Sequence, residues 1–189
     1  NIMRTPQIDS KKLITHFKKA KIATLENLKK ILGTKVAVTV FRKLKEQEYR
    51  TSYSHSGKYY TLNRIACFDE QGLWRHQSVW FSKYGNLLNT IENFVNHSTA
   101  GYRAEELENI LHVVVNKALL TLLKRKIITR EKVSGLYLYC SSKYKIKSQQ
   151  INIRQGMHQS DELRTLGTEM VSDELKAAIV IFFCLLNEK

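Results

Sequence analysis

The sequence predicts an α+β fold, mainly helical: two tandem winged helix-turn-helix domains followed by a C-terminal helical segment. Three observations carry this expectation. One proline and eight glycines in 189 residues leave few breaks, which favours helices joined by short connections. Two stretches, Leu13–Leu62 and Thr90–Cys140, present matched features in the same order. Lys and Arg outnumber Asp and Glu by 31 to 17, a net charge of +14 that is unevenly spread. With 43% hydrophobic and 25% charged residues, the chain has the composition of a protein that buries a core.

In the first copy, Leu13, Ile14 and Phe17 mark a short amphipathic helix, and a connection ends at Thr24. The run LENLKKIL reads as a second helix, broken at Gly33-Thr34. Val36, Val40, Phe41 and Leu44 then fall on one face of a third helix. Two β-prone runs, Tyr49–Tyr53 and Tyr59–Leu62, flank Gly57 and predict a hairpin. In the second copy, Ile91, Phe94 and Val95 open the pattern, and the connection ends at Tyr102. Ala104, Glu105 and Glu106 lead into LENIL, with a break at His112-Val113. Val115, Leu119, Leu122 and Leu123 face one way, and Ile127–Glu131 and Leu136–Tyr139 flank Gly135. Helix, helix, turn, helix, hairpin is the order of a winged helix, and here it occurs twice.

The expected organisation is a basic winged helix domain at 11–64, an ordered aromatic connector at 65–86 and a second winged helix domain at 87–142. A linker or basic arm at 143–160 and C-terminal helices at 161–189 follow. The connector carries Phe68, Trp74, Trp80, Phe81 and Tyr84. A flexible linker would be polar and rich in Gly and Ser, so these aromatics are expected to pack. Residues 143–160 are polar, with cations at alternating positions at their start. In the last helix, Ile179, Val180, Phe182, Phe183, Leu185 and Leu186 make the surface apolar nearly all round. Such a helix must be buried. It is expected to pack on the repeats, to pair two copies as a homodimer, or to continue into further sequence.

Residues 1–62 hold fourteen Lys and Arg against four Asp and Glu, a balance of +10. A localised basic field attracts polyanions, above all nucleic acid, so double-stranded DNA is the expected partner. The third helix of each copy would enter the major groove. In the first copy Thr34, Lys35, Thr39, Arg42 and Lys43 are the outward candidates, with Arg42 suited to a guanine edge and the lysines to phosphates. Ser54, His55 and Lys58 lie in the expected wing. In the second copy the candidates are Asn116, Lys117, Thr121 and Lys124, with Arg130 and Lys132 on the hairpin. Glu105, Glu106 and Glu108 weaken the field of that copy, which leaves a protein-binding role open for it.

Cys67, Cys140 and Cys184 are scattered and form neither a CxxC pair nor a Cys/His cluster. Neither a disulfide framework nor a zinc site is expected, and the cysteines suit reduced thiols in a cytoplasmic protein. The longest apolar run, Ala177–Leu186, is too short to span a bilayer. No phosphate loop, HExxH or nucleophile–base spacing is present, so no enzyme, cofactor, metal or small-molecule ligand is expected.

The pattern YYTL…ACFDEQGLWRHQSVWFSKYGNLLNTI…AGYRAEELENIL resembles winged helix proteins found as uncharacterised companions or N-terminal parts of bacterial transposases. The tail DELKAAIVIFFCLLNEK resembles the lead-in helix of a transposase region in some insertion elements. The resemblance implies a regulator or a transposon-end-binding part of a mobile element, with chemistry carried elsewhere. A plasmid replication initiator is the related alternative, since those also use two winged helix units. A winged helix that binds protein is the alternative of another class.

Overall fold

The computed structural model describes residues 10–160. The expected C-terminal helices at 161–189 lie outside the described residues. The fold is α+β, with helices and small antiparallel sheets. It divides into two compact units. Among the described residues, one contains 10–94 together with Glu105–Arg125; the other contains Val95–Ala104 and 126–160.

In the first unit, helix α1 (Ser10–Ala20) buries Leu13 and Phe17 completely. Strand β1 (Ala23–Thr24) leads directly into α2 (Leu25–Leu32). The Thr24 hydroxyl accepts a bond from Asn27 N at 3.3 Å and so satisfies one free N–H of the first turn. Helix α2 stops because Gly33 adopts a left-handed φ of 65° and returns its N–H to the last turn. Helix α3 (Ala37–Lys45) buries Val40 and Leu44. Strands β2 (Tyr49–Thr51) and β3 (Tyr59–Leu62) close the copy, giving an antiparallel sheet of order β1-β3-β2. Tyr60 pairs with Ala23 on one side and with Thr51 on the other. Leu13, Phe17, Ala23, Leu28, Leu32, Val40, Leu44 and Leu62 form one core.

Val36 departs from expectation. It is 56% exposed, not inward-facing. It precedes the helix with extended angles of φ −90° and ψ 113°, so its side chain lies off the helical face that the periodicity assigned to it.

The connector contains β4 (Leu73–His76) and β5 (Val79–Ser82), an antiparallel hairpin in which Arg75 pairs with Trp80. It is tied to the first copy by Tyr53 N donating to Trp80 O at 3.0 Å and Trp80 N donating to the Ser54 hydroxyl at 2.9 Å. Helix α4 (Leu87–His97) follows. The same unit holds α5 (Ala104–Leu111, from Glu105 on) and α6 (Asn116–Lys124), which bury Leu107, Leu111, Ala118, Leu119 and Leu122.

In the second unit, β6 (Ile128–Val133) and β7 (Leu136–Ser141) form a six-residue hairpin. Tyr102 bridges to Tyr139 on β7, so the order Tyr102-β7-β6 repeats the order β1-β3-β2 of the first copy. Gly101 makes this approach possible: its φ is 64°, and a Cβ there would stand 2.9 Å from Tyr139 O.

Residues 144–160 form a helix, α7, which corrects the expectation of a linker or arm. Two polar side chains dock the segment. Gln150 is 1% exposed; its amide donates to Val95 O at 2.6 Å and Ser98 O at 2.9 Å, and its oxygen accepts from Ser141 N at 2.9 Å. Arg154 donates to Ala100 O at 3.0 Å and Gly101 O at 2.8 Å. Ile151 adds an apolar contact to the cluster of Val133, Leu138 and Cys140. Burial pushes the Cys140 thiol up to about 11, Glu131 adds to the shift, and Lys147 and Arg154 oppose it.

Among the described residues, no helix is long and apolar enough to cross a membrane.

Candidate nucleic-acid interface

Helix α3 is two-faced. Val40 and Leu44 are fully buried, while Lys35, Val38, Arg42 and Lys45 are exposed. Within the helix, Val38, Arg42 and Lys45 are spaced four and three apart and share one stripe, and Lys35 is exposed in the non-helical segment before it. The first turn of α3 contains no acid. The Thr34 hydroxyl accepts from Val36 N at 3.2 Å, a neutral group at the positive end of the helix dipole. Glu26, Lys29, Lys30, Gly33, Thr34 and Lys35 line an open groove of about 370 Å³ in front of this turn, in which Lys29 is paired to Glu26 at 2.9 Å.

The expected residues divide on this geometry. Arg42 stands on the exposed stripe, Lys35 is exposed just before the helix, and Thr34 and Thr39 are half-buried. Lys43 is half-buried and engaged with both carboxylate oxygens of Glu46 at 3.0 Å. Sequence reasoning missed Val38, which is 75% exposed, and Lys45. Their three- and four-residue spacings from Arg42 were the available signal. An exposed β-branched apolar residue among cations contributes little to a helix, but it suits contact with a thymine methyl group.

The turn between β2 and β3 is tight. His55, Ser56 and Gly57 all have left-handed φ angles, of 52°, 55° and 73°. His55 and Lys58 are exposed, and the His55 ring stands edge-on to Tyr59 with centroids 5.5 Å apart. Ser54, expected on the outer surface, is 4% exposed, and its hydroxyl is occupied by Trp80 N and His55 Nδ1. Its place in the polar turn of the expected wing put it outward, but the connector hairpin covers it. Tyr53 is buried as well, and its hydroxyl donates to Leu111 O at 3.0 Å. Burial, and after it the charge of Asp69, pushes that phenol well above its ordinary value.

On α6, Asn116, Lys117 and Lys124 are exposed, and Thr121 is half-buried with its hydroxyl donating to Lys117 O at 2.8 Å. Exposed Val114 and Leu120 accompany them. At the start of this helix the Glu108 carboxylate accepts from Val115 N at 3.0 Å, so an anion stands where the first copy has the Thr34 hydroxyl. Arg130 and Lys132 are exposed on β6 in the other unit, with the Arg130 guanidinium 4.1 Å from the centre of the Tyr137 ring.

Among the described residues, no group of three or more His, Cys, Asp and Glu could hold a metal ion. No family model, curated protein or solved structure was found to match the chain.

Proposed function

We propose that the chain is a sequence-specific double-stranded DNA-binding protein with two winged helix units, in which α3 is the principal reader. The observation that carries this reading is the exposed stripe of Val38, Arg42 and Lys45 opposite the buried Val40 and Leu44, with Lys35 exposed just before the helix. It lies in the third of the chain that holds the +10 charge. Arg42 is suited to a guanine edge, Val38 to a thymine methyl, and Lys35 and Lys45 to flanking phosphates. The element order and the sheet order β1-β3-β2 of the first copy, echoed by Tyr102-β7-β6, support a winged helix description of both copies. A regulator or end-binding protein of a mobile element fits such a reader.

The test is a fluorescence-anisotropy titration with a pool of random duplexes across salt concentrations, followed by sequencing of the bound fraction. Salt-sensitive binding that loses its base preference in Arg42→Ala/Lys45→Ala supports the proposal. Absence of binding by the native chain at low salt sinks it.

For α5 and α6 a second reading has its own observation. Glu108 at the start of α6, with Val114 75% and Leu120 51% exposed, favours a protein-facing surface for this pair. Unchanged affinity and unchanged bound sequences in Lys117→Ala/Lys124→Ala would favour that reading for the second copy.

A further inference from the structure

Helix α1 carries a second charged face that α3 does not account for. Lys11, Lys12, Lys18 and Lys19 are exposed together with Thr15, and Leu13 and Phe17 lie buried on the opposite side. At 100° per residue these four cations fall within about a third of the helix circumference. The helix SKKLITHFKKA contains no Asp or Glu. Its first turn holds two lysines and no acid, although a carboxylate is the favoured charge there. Lys21 extends the face beyond the helix. It is exposed and adopts a left-handed φ of 63°, where glycine would be less strained. Its carbonyl is fixed by the Thr61 hydroxyl at 2.7 Å, and its N–H by Phe17 O at 2.9 Å. Charge is therefore placed at two positions where fold stability favours another residue.

We infer that this face of α1 is a second phosphate-binding surface, taking DNA backbone outside the bases read by α3; the inference rests on the DNA-binding reading above. A rise of 1.5 Å per residue spreads residues 11–21 over about 15 Å. That length lets the face lie against about two to three successive phosphates of one strand. The surface contributes affinity and salt dependence without base preference.

The experiment compares the native chain, Lys12→Gln/Lys18→Gln/Lys19→Gln, Lys21→Gly and Arg42→Ala on two duplexes selected with the native chain. One duplex holds the selected site alone; the other adds about ten base pairs on each side. The native chain should bind the longer duplex more tightly. The triple variant should remove that difference, lower the slope of log affinity against log salt by about two to three, and keep the base preference. Lys21→Gly should weaken the longer complex while melting at the same temperature or higher. An unaltered slope and affinity in the triple variant, with base preference lost in Arg42→Ala, overturns the α1 surface and leaves the reader in place. No duplex binding by the native chain overturns both. Binding to phosphatidylserine vesicles that the triple variant abolishes, with DNA binding intact, would assign the face to a lipid surface and overturn the inference.

Discussion

The indole of Trp80 lies nearly flat against the imidazole of His112, with ring centroids 4.4 Å apart and planes 23° from parallel. Beside it, the Tyr53 hydroxyl reaches Leu111 O at 3.0 Å. The connector hairpin therefore has the turn of the first copy on one side and the α5–α6 turn on the other, all within one compact unit. Trp80→Ala should cost about 2 kcal/mol, less than a fully buried Trp because the ring is half-buried. Tyr53→Phe should cost about 1–2 kcal/mol, since it leaves a buried carbonyl without its donor. Urea melts of the two variants check both values.

Arg42 and Lys43 are neighbours with different expected outcomes. Arg42→Ala should weaken duplex binding by about 1–3 kcal/mol and relax the choice of one base pair. Lys43→Ala should change affinity less than about twofold, because its ammonium is held by Glu46. Titrations of both variants on one selected duplex measure the contrast.

Gln150 holds α7 through three hydrogen bonds, two of them buried and the third, to Ser98 O, half-buried. Gln150→Ala leaves two carbonyls and one N–H unsatisfied and should cost about 3 kcal/mol. Hydrogen exchange should then rise across 144–160 before it rises in α2 or α3.

The two described cysteines should behave oppositely. Cys67 is exposed and Cys140 fully buried, so alkylation at neutral pH followed by peptide mapping should label only Cys67 of the pair. The Cys140 thiol lies above its ordinary value, so the folded state keeps its proton to higher pH than the unfolded state does. Its contribution is complete below about 9 and is lost as pH rises toward about 11. Melting temperature should fall over that window in the native chain and fall less in Cys140→Ala.

Gly101→Ala should be more damaging than Gly33→Ala. Both glycines are left-handed, but an added Cβ meets only open space at Gly33 and meets Tyr139 O at 2.9 Å at Gly101. About 1 kcal/mol is expected for the first and about 2–3 kcal/mol for the second, where a clash adds to backbone strain. Thermal denaturation of the two variants provides the comparison.

Sequence periodicity revealed what depends on local repetition. Val40 and Leu44, Leu28 and Leu32, and Leu119 and Leu122 all lie on buried faces as their spacing requires. The Gly33 break and the aromatic connector were legible for the same reason: each is encoded by adjacent residues. What escaped depends on partners distant in sequence. Ser54 is covered by Trp80, and nothing near position 54 announces it. The helix at 144–160 is held by Gln150 and Arg154 against residues 95–101, some fifty positions away. On α3, the exposure of Val36 followed from a helix start one residue later than the apolar pattern suggested. The pairing of Lys43 with Glu46, three residues on, is a local contact that helical spacing alone does not announce.

Glu108 makes the start of α6 unlike the start of α3. Its carboxylate accepts the Val115 N–H from seven residues back, whereas the Val36 N–H before α3 is taken by the neutral hydroxyl of Thr34, two residues back. An anion drawn to the positive end of α6 would meet a charge of its own sign in a seat already taken. At α3 it would meet only a neutral oxygen, so the two helix starts sort incoming anions differently.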